Sequence, residues 1–270
     1  MTNNALEKWR AGPASDDARK IDAALGRLGR VEPRAPSPHR RRGRLIFGLD
    51  LTGSREAGLA HARIATAAMF DALKTIGAIA VRLVYYRGTN ECRASAWHDD
   101  PQALSRTMQS LGCETGETQI ARVLQAALEE KEPIDGVVFV GDHSEDSPDA
   151  LLALAARLGK RSMPLFMFHE CADHDERSLK AKPVFKRMAE LSGGVYVEFK
   201  PDSGTVLREM LSSVAAFSAA GHEGIRQVGQ PFTPEARQLQ KRLLLAAPKG
   251  GADRFDLLLS DTKGDPWNAK

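Results

Sequence analysis

Cysteine is scarce in this sequence, and the few cysteines are not arranged for a disulfide or zinc framework. The three residues, Cys92, Cys113 and Cys171, are odd in number and far apart, and no Cys-x-x-Cys pair occurs. Disulfide-rich domains and zinc ribbons need paired, closely spaced cysteines. Both classes are therefore excluded, and thiols in a reducing compartment are expected.

Long apolar runs and a signal-like N-terminus are also missing. The longest apolar stretches, LIFGL, IAVRLVYY and MPLFMF, are far shorter than the roughly 20 residues that cross a bilayer. The first residues, MTNNALEKWRAG, are polar and lack the apolar centre of a secretory signal. We therefore predict a cytoplasmic protein with no transmembrane helix and no membrane partner.

The common glycine-rich nucleotide-binding motifs are absent as well. No Gly-x-Gly-x-x-Gly follows the first apolar strand, and no glycine-rich loop ends in Gly-Lys-Ser or Gly-Lys-Thr. The net charge is +3, and much of the positive charge is concentrated in PRAPSPHRRRGR. The prolines and serine around this basic run favour a solvated linker over a nucleic-acid site.

The pattern of helices and linkers divides the chain into three parts. Residues 1–43 are predicted to form a short amphipathic helix followed by the basic, proline-rich linker. Residues 44–228 carry the main domain. Residues 229–270 are predicted to hold one amphipathic helix, with Leu239, Leu243 and Leu244 on one face, and a polar tail.

In the main domain, short apolar runs alternate with helical patterns. The runs are RLIFGLD, AIAVRLVYY, GVVFVGD, SMPLFMFHE and VYVEF. Strands joined through helices form parallel pairs, and continuous apolar runs are typical of strands that are covered on both faces. RASAWHD follows AIAVRLVYY too closely for a helical crossover, which indicates a short antiparallel edge strand. We therefore predict a doubly wound α/β fold with a mainly parallel, six-stranded sheet flanked by helices.

Oxygen donors lie where three loops of this fold meet one edge of the sheet. The first strand ends in Asp50, Thr52 and Ser54 at alternate positions, Thr118 opens a later helix, and Asp142 ends GVVFVGD. Ligands of open α/β sheets bind at the carboxyl ends of strands, where the strand order reverses. Two carboxylates and three hydroxyls form a set that suits a hard divalent cation, with Mg²⁺ expected and Mn²⁺ or Ca²⁺ as alternatives.

These motifs resemble those of a known family. IFGLDLTGSR resembles the metal-ion-dependent adhesion site (MIDAS) of von Willebrand factor A (VWA) domains, whose first motif is Asp-x-Ser-x-Ser after an apolar strand. Thr118 in GETQIARVL and Asp142 in VVFVGDH are similar to the family's later threonine and aspartate, and VFKRMAELSGGVYVEF is similar to its last helix–turn–strand unit. The resemblance covers about residues 44–220 and implies the Rossmann-like fold of an intracellular, bacterial-type VWA domain.

The resemblance also implies the role of each residue. Thr52, Ser54 and Thr118 would coordinate the ion directly, Asp50 and Asp142 would act largely through water, and a carboxylate from a partner protein would complete the coordination. Such a site has no activated nucleophile, so no enzymatic activity is expected. The expected function is a metal-dependent protein–protein interaction module, an adaptor for a chaperone, an AAA-type ATPase or a stress-response assembly.

The sequence departs from the family pattern at several positions. Thr52 replaces a serine, and Gly141 and His143 flank Asp142 where the family has threonine and glycine. Arg55 stands where many relatives have an apolar residue. Its charge would either repel a cation or bind an incoming carboxylate.

Other interpretations remain open at this stage. Asp50, Ser54 and Asp142 could cap helices or bind loop amides in a degenerate VWA domain without metal. Asp50 could instead be the nucleophile of a metal-dependent hydrolase or phosphotransferase. Phosphatases of the haloacid dehalogenase type, however, need a second aspartate where Thr52 stands.

A second cluster of candidate metal ligands follows the strand SMPLFMFHE. His169, Cys171 and His174 in FHECADHDE could bind zinc or copper. Their spacing matches no standard zinc pattern, and no fourth ligand is evident. A polar loop at the same edge of the sheet is therefore the favoured interpretation.

Overall fold

The computed structural model describes the central part of the chain, namely residues 43–55, 59–60, 62–63, 79–171, 175–200 and 203–245. The N-terminal helix, the basic linker and the C-terminal tail that the sequence predicts lie outside these ranges. The sequence predicts a helix over residues 56–76, of which the structure describes only residues 59–60 and 62–63; these are helical. Nowhere in the described ranges is there a helix long and apolar enough to cross a bilayer.

Six strands form a single sheet. In chain order they are β1 (Gly43–Asp50), β2 (Ile79–Arg87), β3 (Glu91–His98), β4 (Gly136–Gly141), β5 (Leu165–Glu170) and β6 (Val195–Phe199). The spatial order is β3-β2-β1-β4-β5-β6, and every neighbouring pair is parallel except β2 and β3. Gly88 makes the tight β2–β3 turn possible because its φ of 57° is one that other residues rarely adopt. The predicted fold class is confirmed.

The helices cover both faces of the sheet. They are α1 (Pro101–Gln109), α2 (Ile120–Glu129), α3 (Pro148–Lys160), α4 (Glu176–Ser192), α5 (Gly204–Val228) and α6 (Pro234–Leu245), and a short 3₁₀ turn (Gly53–Arg55) follows β1. The backbone of α5 is non-helical at Gly221, so this element consists of two helical segments.

A hydrophobic core lies on each face of the sheet. Along β1, Leu45 and Phe47 point into the core that also contains side chains of α1, α5 and α6, whereas Ile46 points into the core shared with α2, α3 and α4. Successive residues of a strand face opposite sides. Because both sides are covered, the strands are continuous apolar runs.

One helix begins earlier than the sequence predicts. The sequence predicts a helix over PVFKRMAELSGG, which starts at Pro183. The helix α4 begins earlier, at Glu176, where the Asp175 carboxylate accepts a hydrogen bond from the Arg177 amide at 3.0 Å. Proline is therefore tolerated inside α4.

The predicted C-terminal amphipathic helix is present as α6. Its Ala236, Leu239 and Leu243 side chains are buried in the first core. The loop before it is held by Glu209 of α5, whose carboxylate accepts hydrogen bonds from the Phe232 and Thr233 amides and from the Thr233 hydroxyl at 2.6 to 3.0 Å.

Candidate metal-binding site

The carboxyl ends of β1 and β4 lie side by side in the middle of the sheet. β1 pairs with β2 on one side and with β4 on the other, so the strand order reverses between β1 and β4. Ligands of open α/β sheets bind at such a reversal. Asp50 is the last residue of β1 and Asp142 directly follows β4, so both predicted acidic ligands lie at this point.

Four of the five predicted metal ligands form one hydrogen-bonded chain. Asp50 Oδ1 accepts from the amide and the hydroxyl of Thr52 at 2.8 and 2.7 Å. The Thr52 hydroxyl lies 3.3 Å from Ser54 Oγ, which donates to Asp142 Oδ2 at 2.8 Å. The 3₁₀ turn produces this arrangement, because the Arg55 amide donates to the Thr52 carbonyl and so brings Ser54 back towards β4.

Asp50 is a buried carboxylate with hydrogen bonds at only one of its two oxygens. Only 2% of the residue is exposed. Burial, helped by the charge of Asp142, raises the pKa of Asp50 against the opposing effects of the Thr52 hydrogen bonds and the charge of Arg55. Oδ2 has no hydrogen-bond partner among the described residues. Buried polar atoms seldom lack a partner, so a cation, an ordered water or the neighbouring Tyr86 hydroxyl is expected beside this oxygen.

The pKa of Asp142 is shifted in the opposite direction from that of Asp50. Burial alone would raise its pKa, but hydrogen bonds from His143 and Ser54 and the charges of His143 and Arg55 outweigh burial and lower the pKa to about 2. The His143 Nδ1 atom lies 2.7 Å from Asp142 Oδ1, and this contact raises the pKa of the imidazole. Asp142 is therefore a fixed negative charge over the physiological pH range.

Thr118 belongs to a neighbouring network at the start of α2. Its hydroxyl accepts from the Glu145 amide at 2.6 Å and donates to Asp146 Oδ2 at 3.3 Å, while its own amide donates to Glu145 Oε2 at 2.8 Å. Asp146 also accepts from the Ile120 and Ala121 amides, and so caps the N-terminus of α2. The structure therefore links Thr118 to Asp142 through the 142–146 loop and not through the Asp50 chain.

Arg55 is buried beside the carboxylates and forms an ion pair with Glu170. Only 3% of Arg55 is exposed, and its Nη1 atom lies 2.5 Å from Oε1 of Glu170 at the end of β5. Of the two roles that the sequence suggests for Arg55, capture of an incoming carboxylate does not fit this burial. The charge of Glu170 also offsets the repulsion that Arg55 exerts on a cation.

Tyr86 adds a buried hydroxyl to the same end of the sheet. It pairs with Asp50 in the register between β1 and β2, and the residue is fully buried. Its hydroxyl lies beside the Asp50 carboxylate, although no contact within the described ranges meets strict hydrogen-bond geometry. Burial, the charge of Asp50 and this side-chain contact with Asp50 raise the pKa of Tyr86 well above the usual value. The neutral hydroxyl thus faces a strongly negative region.

Comparison with known proteins identifies the fold. No protein-family model and no curated protein matches the chain. Among solved structures, a von Willebrand factor type A protein from Catenulispora acidiphila has 15% identity and a TM-score of 0.51, covering 65% of this chain and 43% of that one. The fold is that of a VWA domain.

Two further structures share this VWA fold. The pilus adhesin SpaC from Lactobacillus rhamnosus GG has 10% identity and a TM-score of 0.53, covering 65% of this chain and 31% of that one. A mutant of the PilB minor pilin from Streptococcus sanguinis has 11% identity and a TM-score of 0.54, covering 79% and 65%. The chain thus spans less than two thirds of each of these proteins.

A cation at the centre of this VWA sheet would depend on hydroxyl groups. In the part of the chain that the structure describes, no group of three or more His, Cys, Asp or Glu side chains is placed to hold a metal ion. Asp50 and Asp142 would therefore need the oxygens of Thr52 and Ser54, together with water. Such an all-oxygen set suits Mg²⁺, which usually keeps several waters.

Within the described ranges, no second cluster of metal ligands forms around His169. His174 lies outside the described ranges. Both ring nitrogens of His169 are already in hydrogen-bond contact: Nε2 lies 2.8 Å from the Asp142 carbonyl, and Nδ1 lies 2.8 Å from the Tyr196 hydroxyl. Burial lowers the pKa of this imidazole, which favours the neutral ring. His169 therefore contacts the main chain at Asp142 and is not placed as a metal ligand.

Several residues of the site were not predicted from the sequence. Tyr86 and Glu170 come from strands whose apolar patterns give no sign of a polar role, and the sequence offers His169 only as a candidate ligand of a separate zinc or copper cluster. Asp146 is one of several polar residues that follow Asp142 in the sequence. The sequence signal that could have identified these residues is a polar residue at the carboxyl end of each central strand. The strand order brings these residues together at one edge of the sheet.

Proposed function

We propose that this chain is a metal-dependent protein-interaction module. In this proposal Asp50, Thr52, Ser54, Thr118 and Asp142 hold a divalent cation, with Mg²⁺ as the expected ion, and the cation binds a carboxylate of a partner protein. The observation that carries the proposal is the hydrogen-bonded chain from Asp50 to Asp142, in which the buried Oδ2 of Asp50 lacks a partner.

The charge balance of the buried groups supports a divalent ion. Asp50, Asp142 and Glu170 surround the single guanidinium of Arg55. When all three carboxylates are ionised, the guanidinium offsets one negative charge and a protonated His143 beside Asp142 offsets a second, so one negative charge remains uncompensated. Uncompensated buried charge is costly, so a divalent cation would stabilise the ionised form of Asp50.

Thr118 can also take part without losing its present contacts. Its hydroxyl accepts one hydrogen bond, from the Glu145 amide, and donates one, to Asp146. A hydroxyl oxygen has two lone pairs, so one remains for a cation. Thr118 would then connect the ion to α2.

The proposal includes a location and a class of partner. The odd number and wide spacing of Cys92, Cys113 and Cys171 in the sequence suit a reducing cytoplasm. The resemblance to intracellular VWA domains suggests an adaptor role with a chaperone, an AAA-type ATPase or a stress-response component. A partner is expected to present an aspartate or glutamate side chain to the ion.

Thermal unfolding in EDTA and in Mg²⁺ or Mn²⁺ tests the metal site. Ion at ten times its dissociation constant should stabilise the protein by about 1.4 kcal/mol, which is a shift of about 2 to 4 °C for a domain of this size. Asp50→Ala and Asp142→Ala should lose the shift. Glu190→Ala, an exposed position at the opposite edge of the sheet, should keep it. No shift in the wild type at millimolar ion would contradict the proposal.

An assay with a generic aryl phosphate tests the enzymatic alternative. The burial of Asp50 leaves little room for a substrate to approach it, so no metal-dependent turnover is expected. Turnover that Asp50→Asn abolishes would instead favour a hydrolase or phosphotransferase with Asp50 as nucleophile.

A further inference from the structure

A buried histidine holds the main chain directly behind the site. His169 lies in β5 opposite Gly141 of β4 and is completely buried. Its Nε2 atom is 2.8 Å from the Asp142 carbonyl oxygen. A carbonyl oxygen can only accept, so Nε2 carries the proton and donates. The donated hydrogen bond fixes the peptide group at which the chain leaves β4.

The imidazole ring is itself held on all sides. Ser178 Oγ of α4 lies 2.8 Å from Nε2, and the Tyr196 hydroxyl of β6 lies 2.8 Å from Nδ1. The Phe185 ring packs edge-on against the imidazole with a centroid distance of 5.0 Å. The ring therefore cannot turn without breaking contacts to α4 and β6.

The contacts of the ring extend to the protein surface. Glu198 Oε1 lies 2.6 Å from the Tyr196 hydroxyl, whose single proton is donated either to this carboxylate or to Nδ1 of the neutral ring, and Lys182 Nζ lies 2.6 Å from the same carboxylate oxygen. Glu198 and Lys182 are both partly exposed. The Asp142 carbonyl is thus connected, through consecutive polar contacts, to an ion pair between β6 and α4.

The loop that begins at Asp142 carries the acidic groups of the site. Asp142 accepts from Ser54, and Glu145 and Asp146 contact Thr118 and the start of α2. A rotation of the peptide after Asp142 would move all three carboxylates relative to β1. The position of the acidic groups therefore depends on the hydrogen bond from His169.

We propose that His169 is a positioning residue that holds the 142–146 loop in the geometry required by the metal site. This inference rests on the proposed function for the metal, but the loop geometry can be measured without metal. His169 does not contact the ion in this proposal. It acts through the Asp142 carbonyl, as outer partners of metal ligands commonly do.

Three variants separate positioning from general stability. His169→Phe keeps a ring of similar size and removes both nitrogens. His169→Gln keeps a side-chain N–H donor. Met167→Ala removes a fully buried side chain from the same face of β5 without removing a polar contact to Asp142. This last variant is the control for a loss of packing.

The measurements are hydrogen exchange in EDTA and Mg²⁺ affinity by calorimetry on the full chain. In His169→Phe, the Glu145 and Ile120 amides, which hydrogen-bond within the loop network, should exchange about tenfold faster or more, as expected for one lost buried hydrogen bond. Mg²⁺ affinity should fall about 10- to 100-fold. His169→Gln should recover most of both values, and Met167→Ala should lower the melting temperature but leave both unchanged.

The two hypotheses fail in different ways. Normal exchange and normal Mg²⁺ affinity in His169→Phe would overturn the positioning role while leaving the metal site intact. Equal losses in His169→Phe and Met167→Ala would also overturn it, because they would indicate a purely structural effect. If the wild type binds no Mg²⁺, the proposed function fails, and the exchange rates in EDTA alone decide the role of His169.

Discussion

Asp50 and Asp142 lie at the same edge of the sheet, yet their surroundings act on them in opposite directions. Asp50 has one satisfied oxygen and a raised pKa, whereas Asp142 is hydrogen-bonded at both oxygens and has a pKa of about 2. A raised folded-state pKa means that ionisation of Asp50 destabilises the fold without metal. The lowered pKa of Asp142 means that ionisation of Asp142 stabilises the folded state.

We therefore expect opposite effects from two matched substitutions in EDTA at pH 7. Asp50→Asn should raise the melting temperature, because it removes a buried, half-satisfied charge and keeps an oxygen for the Thr52 hydrogen bonds. Asp142→Asn should lower the stability by about 2 kcal/mol, the value of a shift from 3.8 to about 2. Thermal and urea unfolding measure both effects.

The contribution of Asp142 should also depend on pH. It is fully present above the unfolded-state pKa of 3.8 and is lost as the pH falls towards about 2. The difference in unfolding free energy between wild type and Asp142→Asn should shrink over this range. A difference that stays constant from pH 5 to pH 2 would show that Asp142 is not held as an ionised acceptor.

At the scale of elements, the segment between α1 and α2 places Thr118. The Glu114 amide donates to the Leu51 carbonyl at 3.0 Å, which adds this segment beside the extension of β1. Gly116 lies against the β2–β3 turn so closely that a Cβ atom would be 2.0 Å from the Gly88 carbonyl oxygen. The absence of a side chain at Gly116 thus permits the close approach.

We expect Gly116→Ala to displace this segment and to weaken Mg²⁺ binding through Thr118. Overpacking of this kind also costs about 1–3 kcal/mol of stability. Gly112→Ala is the matched control, since a Cβ atom there meets no atom within 4 Å. Calorimetric titration and thermal unfolding of both variants provide the comparison. Equal Mg²⁺ affinity in the two variants would argue against Thr118 as a ligand.

At the scale of the whole molecule, α6 packs into the core on one face of the sheet. Leu239 and Leu243 are buried in that core, whereas Leu245 is 72% exposed. The sequence places residues 229–270 in a separate C-terminal part. For α6, the burial of these leucines indicates that the helix stabilises the main domain.

Leu239→Ala should accordingly destabilise the entire domain by about 2–5 kcal/mol. Leu245→Ala should change the stability by no more than about 0.5 kcal/mol, because its side chain is largely exposed. Both variants should unfold in a single transition that follows the far-UV signal of the sheet. An unchanged main transition in Leu239→Ala would mean that α6 folds independently of the sheet.

Much of this fold could be predicted because it follows from local patterns. The apolar runs GVVFVGD and VYVEF and the helical segment PDALLALAARLGK mark their own elements, and the short distance between AIAVRLVYY and RASAWHD requires an antiparallel pair. The start of α4 was predicted too late because Pro183 resembles a first-turn proline. Local pattern cannot distinguish that position from a tolerated interior proline.

The sequence by itself determined which residues could form the site, because Asp50, Thr52, Ser54 and Asp142 follow strands that an α/β sheet brings to one edge. Only the tertiary structure decided the contacts around these residues. It pairs Arg55 with Glu170, Thr118 with Asp146, and the Asp142 carbonyl with His169. These contacts join residues that are distant in the chain. Their geometry depends on strand order and helix packing, which the spacing of residues along the chain does not encode.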